Sequence, residues 1–106
     1  MPANSEPQQT TNTAQHVTDL AERVVILPKH LHARPAGQVA QAAARHQATT
    51  IELVSGNRRA DARSVLAVMA LGAVTGGEVR VIVAGPDATV VANDIVGLLE
   101  RPDTDE

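Results

Sequence analysis

Phenylalanine, tyrosine and tryptophan are absent from this chain of 106 residues, and so is cysteine. Without aromatic rings the interior has to be assembled from Val, Leu, Ile and Ala, each of which buries less area than a ring. The same absence argues against a reader of single-stranded nucleic acid, a mode that stacks bases on aromatic side chains. A formal net charge of −3 argues further against a phosphate backbone as partner. Without cysteine there is no disulfide and no thiolate metal site. The longest apolar run, Val65 to Leu71, is far too short to cross a bilayer, so no membrane partner is expected. The N-terminus has neither the basic start nor the apolar stretch of a secretory signal, which makes the cytoplasm the expected compartment.

What is present suffices for one small domain. Apolar residues make up 43% of the chain and no internal repeat divides it. Residues 1–18 are rich in Gln, Thr, Asn, Pro and Ser and too poor in large apolar side chains to offset their ordering entropy. They are expected to be a disordered tail, with His16 in solvent. Residues 101–106 read as a short acidic tail. The folded unit is expected over residues 19–100.

Within that unit Arg23 to Leu27 is a β-branched run stopped by Pro28, hence a strand. Ala36, Val39, Ala40 and Ala43 recur at helical spacing, with Gln38, Gln41 and Arg45 on the other side. Thr50 to Val54 and Arg58 to Ala62 alternate as strands about a Gly56-Asn57 turn. Ser64 can cap a short helix from Val65 to Leu71, which Gly72 can end. Glu78 to Val83 is another strand. Asp87 can then cap a last helix carrying Val91, Ile95, Leu98 and Leu99 on its apolar face, closed by Pro102. The order β-α-β-β-α-β-α predicts an α+β fold, an open-faced β-sandwich with a four-stranded antiparallel sheet covered on one face by three helices. Strand order cannot be read from the pattern.

Two stretches carry chemistry. In Leu31-His32-Ala33-Arg34-Pro35-Ala36-Gly37 a histidine sits where the first helix begins. The first amides of a helix have no intrahelical acceptor and carry partial positive charge, so they favour an anion. Pro35 fits that turn because its missing N–H would go unused there. Arg34 adds a permanent cation whose fork of donors suits phosphate. An imidazole nucleophile, helix-end amides and a guanidinium thus converge, a grouping suited to taking up and handing on a phosphoryl group. The second stretch is the short helix after Ser64, which is apolar on every side. Val68 and Leu71 can face the sheet. Val65, Leu66, Met69 and Ala70 are then either buried under loops or exposed as a docking patch, with Met69 adaptable to several partners.

Taken together, Leu-His-Ala-Arg-Pro-Ala-Gly and Ala-Arg-Ser-Val-Leu-Ala-Val-Met-Ala-Leu-Gly resemble HPr. That is the family of histidine-containing phosphocarriers of the bacterial phosphoenolpyruvate-dependent sugar phosphotransferase system. The likeness covers about residues 23–100, including the order of elements and the spacing of the motifs. It implies that His32 accepts a phosphoryl group from Enzyme I, on Nδ1, and passes it to enzyme IIA-type proteins, as a carrier without turnover of its own. Arg34 and the backbone amides near Ala33 and Arg34 would lie close to the phosphoryl oxygens. Ser64 matches a serine that a regulatory kinase phosphorylates in some members, with a transcriptional regulator as a further partner. Val65, Leu66, Met69 and Ala70 match the apolar docking surface. The carrier is expected to be a monomer. The N-terminal tail is longer than in a typical member, one extra residue lies between the first helix and the second strand, and Arg63 stands where lysine is common.

The residues fit a carrier rather than a hydrolase. An exposed imidazole is largely neutral and nucleophilic at neutral pH. Helix-end dipoles and Arg34 would favour the phosphorylated state by about 1 kcal/mol each, modest enough to permit release. No carboxylate lies beside His32 in sequence to position water. Other readings are a carrier for a nitrogen-regulatory or dihydroxyacetone kinase branch, or a regulatory module acting through phospho-Ser64. His30, His32 and His46 could be read as a metal site, but they lack a carboxylate or thiolate at suitable spacing, so no metal and no cofactor is expected. His46 is better read as a cation at the first helix's C-terminal end.

Overall fold

A computed structural model describes residues 19–102. The expectations for residues 1–18, His16 among them, and for 103–106 lie outside the described residues. The elements run β1 Leu20–Ile26, α1 Ala33–Ala44, β2 Thr50–Ser55, β3 Arg58–Asp61, α2 Val65–Ala70, β4 Glu78–Ala84 and α3 Ala88–Glu100. This is the expected β-α-β-β-α-β-α order.

The four strands form one antiparallel sheet in the order β1-β4-β2-β3. β1 pairs with β4 from Leu20↔Ala84 to Ile26↔Glu78, and β2 pairs with β4 from Thr50↔Ala84 to Val54↔Arg80. Glu52↔Asp61 to Ser55↔Arg58 closes the β2–β3 hairpin. Period-two alternation puts Ala21, Val25, Ile51, Leu53, Ala60, Val79, Val81 and Val83 on the covered face, all buried. Val39, Ala43, Val68, Val91, Ile95 and Leu99 meet them from the helices. The core is wholly aliphatic, so its stability is spread over many modest contacts.

The other face of the sheet is open. Val24 and Ile26 are exposed there, and ion pairs cross between strands from Arg80 to Glu22 and from Arg59 to Glu52, each at 2.9 Å. Exposed pairs of this kind contribute about 0.2–1 kcal/mol at most.

Three local expectations change. β1 begins at Leu20, because Glu22 and Arg23 interrupt the apolar run without breaking the alternation. α1 buries Pro35, Ala36, Val39, Ala42 and Ala43, with Ala40 only half-buried, because the helix packs against α2 and α3 at once. Asp87 does stand at the N-cap of α3, but its φ is 59° and its side chain makes no cap bond. With no side-chain cap, the first bond of this helix is the Val91 amide donating to the Asp87 carbonyl.

Candidate phosphoryl-acceptor site

The loop between β1 and α1 is fastened at several points. The Leu27 amide donates to Gly77 O at 2.9 Å, the Gly76 amide to Leu27 O at 2.7 Å, and the Leu31 amide to Ala73 O at 3.0 Å. The Thr75 amide donates to Nδ1 of His30 at 3.0 Å. A nitrogen that accepts an amide proton has committed its lone pair, so Nδ1 of His30 is not a competing nucleophile. Leu27 and Leu31 are buried beside these bonds. Lys29, on the same loop, is only 5% exposed and donates from Nζ to Leu98 O in α3 at 2.8 Å.

His32 follows as the N-cap of α1, with φ −85° and ψ −166°, and it is exposed. Its side chain makes no cap bond, while its carbonyl accepts the Ala36 amide at 3.0 Å. In the turn between them Pro35 has no N–H, so helix geometry leaves the Ala33 and Arg34 amides without an intrahelical acceptor. Ala33 and Arg34 are exposed, whereas Pro35 and Ala36 are buried. The turn is therefore anchored from beneath and open above. No acidic side chain occupies it. An anion on the imidazole would meet the positive end of α1 with a guanidinium two residues away.

α2 stands beside this loop. Ser64 is its N-cap, with Oγ accepting the Ala67 amide at 3.1 Å. At the other end Leu71 is the C-cap and Gly72 adopts φ 67°, the left-handed conformation that glycine takes without a Cβ penalty. Val68 and Leu71 are buried, as their spacing requires. Leu66 is 78% exposed and Met69 38%, with Ala70 exposed next to them. Val65 is half-buried and leans on the core, so it sits at the edge of the apolar patch.

The Leu31–Ala73 bond ties the chain just after α2 to the residue just before His32. It brings His32, Arg34, Met69 and Ala70 to one region of the surface. Ser64 lies at the far end of α2, about 9 Å of helix away. His46 lies beyond the C-cap of α1, about 18 Å from the helix start, and pairs with Asp94 at 3.6 Å. The three histidines therefore do not converge, and no group of three or more His, Cys, Asp or Glu among the described residues is arranged to hold a metal ion.

Sequence reasoning missed the supports of this site. Besides Lys29 there is Arg58, whose Nη1 bonds Ala70 O at 3.1 Å at the C-terminal end of α2; away from the site, Arg63 was missed as well. The Arg63 guanidinium bonds the carbonyls of His46 and Thr49 and so pins the α1–β2 loop. These partners are twelve or more residues away along the chain. Only the unusual place of a lysine directly after Pro28 could have drawn notice.

A family model described as the PTS HPr component phosphorylation site matches residues 21–101. Phosphocarrier protein HPr of Treponema pallidum (strain Nichols) is 38% identical over 71 residues, which cover 67% of this chain and 80% of that protein. The crystal structure of HPr from Bacillus anthracis str. Ames superposes with a TM-score of 0.71 at 23% identity, covering 76% of this chain and 98% of that one. A histidine-containing phosphocarrier protein from Mycoplasma gives 0.69 at 28% identity, covering 74% and 90%.

Proposed function

The chain belongs to the HPr family of phosphocarrier proteins, and we propose that His32 is the residue that carries the phosphoryl group, taken from Enzyme I and passed to enzyme IIA-type proteins. Members of this family are carriers and not enzymes with independent turnover. The observation that supports His32 is its placement: an exposed imidazole at the start of α1, above two amides that the helix itself does not use, with Arg34 beside it. In the forward step the Nδ1 lone pair attacks phosphorus. A new N–P bond forms as the donor's bond to phosphorus breaks, and the donor keeps the electron pair of that bond. The second step repeats this with His32 as leaving group. The charge on the transferring oxygens is met by the helix end and the guanidinium, each worth about 1 kcal/mol, so the carrier holds its cargo without trapping it.

Leu66, Met69 and Ala70, with Val65 at the edge, are the docking surface in this reading, and the Met69–Ala70 end adjoins the His32 loop, so docking and transfer use one face. Ser64 is the regulatory position. A dianion there would stand at the opposite end of the same patch, opposing docking while the domain stays folded. The carrier works in the cytoplasm as a monomer, with phosphoenolpyruvate-derived phosphate reaching it through Enzyme I. Sugar uptake is the branch that the family resemblance favours.

The deciding experiment incubates the protein with Enzyme I and labelled phosphoenolpyruvate. Acid-labile, base-stable label on the wild type and none on His32→Ala is the expected result. Label that survives His32→Ala, or a wild type that takes none, would overturn the assignment.

A further inference from the structure

Lys29 is the one buried charged side chain among the described residues. A lysine in a surface loop is ordinarily solvated, and an ammonium withdrawn from water needs hydrogen bonds in exchange. Here Nζ donates to Leu98 O at 2.8 Å, across 69 positions of sequence. The reason that carbonyl is available is written in the chain. The amide that would close its i+4 bond belongs to residue 102, which is proline and has no N–H. Leu98 O is thus one of the orphan acceptors at the negative end of α3, where a cation is doubly suited.

We infer that Lys29 is a positioning residue for phosphoryl transfer at His32, acting by fastening the acceptor loop to the last turn of α3. The inference rests on His32 being the acceptor. On one side the loop is held by the bonds from Leu27, His30 and Leu31 to residues 73–77. On the other side Lys29 supplies the tie to α3. His32 is three residues beyond that tie, so the backbone that Lys29 fastens leads directly to the acceptor and fixes where its imidazole is held. Small errors in the placement of a reacting atom slow a transfer strongly. Because Lys29 is buried, a docking partner does not touch it. Its removal alters the transfer step and leaves docking alone.

The test compares Lys29→Met, which keeps the stem and removes the charge and donors, with Lys29→Arg, which restores both. Two readouts are taken on the full chain. The first is Enzyme I-dependent labelling of His32, resolved into kcat and KM. The second is amide exchange at Leu31, measured against Val81 in the central strand, which needs no partner protein. Lys29→Met is expected to lower kcat about tenfold with KM unchanged and to speed Leu31 exchange more than Val81 exchange. Lys29→Arg is expected to return kcat to within about threefold of wild type. A Lys29→Met protein that transfers at the wild-type rate overturns the inference. So does a loss that lies in KM, or one that Lys29→Arg fails to relieve. If Lys29→Met does not fold, Lys29→Gln, which keeps a donor without the charge, is judged by the same readouts. A wild type that takes no label would count against His32 as acceptor, and the exchange comparison would still decide whether Lys29 holds the loop.

Discussion

The starts of α1 and α2 are built in opposite ways. α1 has 12 residues, five of them buried, and packs against both other helices. Its N-cap side chain makes no bond and its first turn holds no acid. α2 has six residues and buries only Val68. A helix that short is not stable by propensity. It is closed by Ser64 Oγ at one end, and at the other by Gly72 and the Arg58 guanidinium on Ala70 O. The contrast has a physical cause. α1 is secured by packing, so its start needs no side-chain cap. α2 must show a bare apolar face and gains little from packing, so its ends are tied instead.

Filling the start of α1 is the most severe way to break that contrast. In Ala33→Glu a resident carboxylate would compete for the positive end of the helix. Stability should rise by about 0.5 kcal/mol, since an acid in the first turn is favourable there. Labelling of His32 by Enzyme I should fall about thirtyfold. A more stable protein that is a worse acceptor would separate the two roles of the helix end, and unchanged labelling would show that the amides are not used. The next largest effect is on the bare face. Leu66→Glu replaces a side chain that is 78% exposed, so thermal stability should change by no more than about 0.5 kcal/mol. KM for Enzyme I should rise about tenfold with kcat little altered. If KM stays put, the patch is not where the donor docks.

Much of this was legible because it is local. His32, Arg34 and Pro35 lie within one turn, so spacing alone sets an imidazole and a guanidinium at the start of α1. Ser64 and Gly72 bracket α2 within nine residues of sequence and both act as their types suggest. The four-stranded sheet with helices on one face followed from periodicity and hairpin signals. What stayed hidden depends on distant chain. β4 lies between β1 and β2, but its alternating valines would look the same on any strand with one covered face. Nothing near Lys29 or Arg63 in sequence announces that the fold brings the Leu98, His46 and Thr49 carbonyls to them. Asp87 carries the right residue type for a cap in a backbone conformation that defeats it.

The smallest effects come from Ser64, where cap and charge can be pulled apart. Ser64→Ala removes the oxygen that accepts the Ala67 amide and should cost about 1 kcal/mol, a fall in Tm of about 4–8 °C for a domain of this size. Docking should hardly notice, because the apolar face is unchanged and α2 remains folded in nearly all molecules. Ser64→Asp keeps an acceptor at the N-cap and places an anion at the favourable end of the helix dipole, so stability should match wild type. The same anion stands beside Val65 and Leu66, and KM for Enzyme I should rise about threefold. The two variants thus predict opposite pairs of readings, lower Tm with normal KM against normal Tm with higher KM. If Ser64→Asp accepts phosphate from Enzyme I as readily as wild type, charge at this end of α2 does not regulate docking and Ser64 is a helix cap alone.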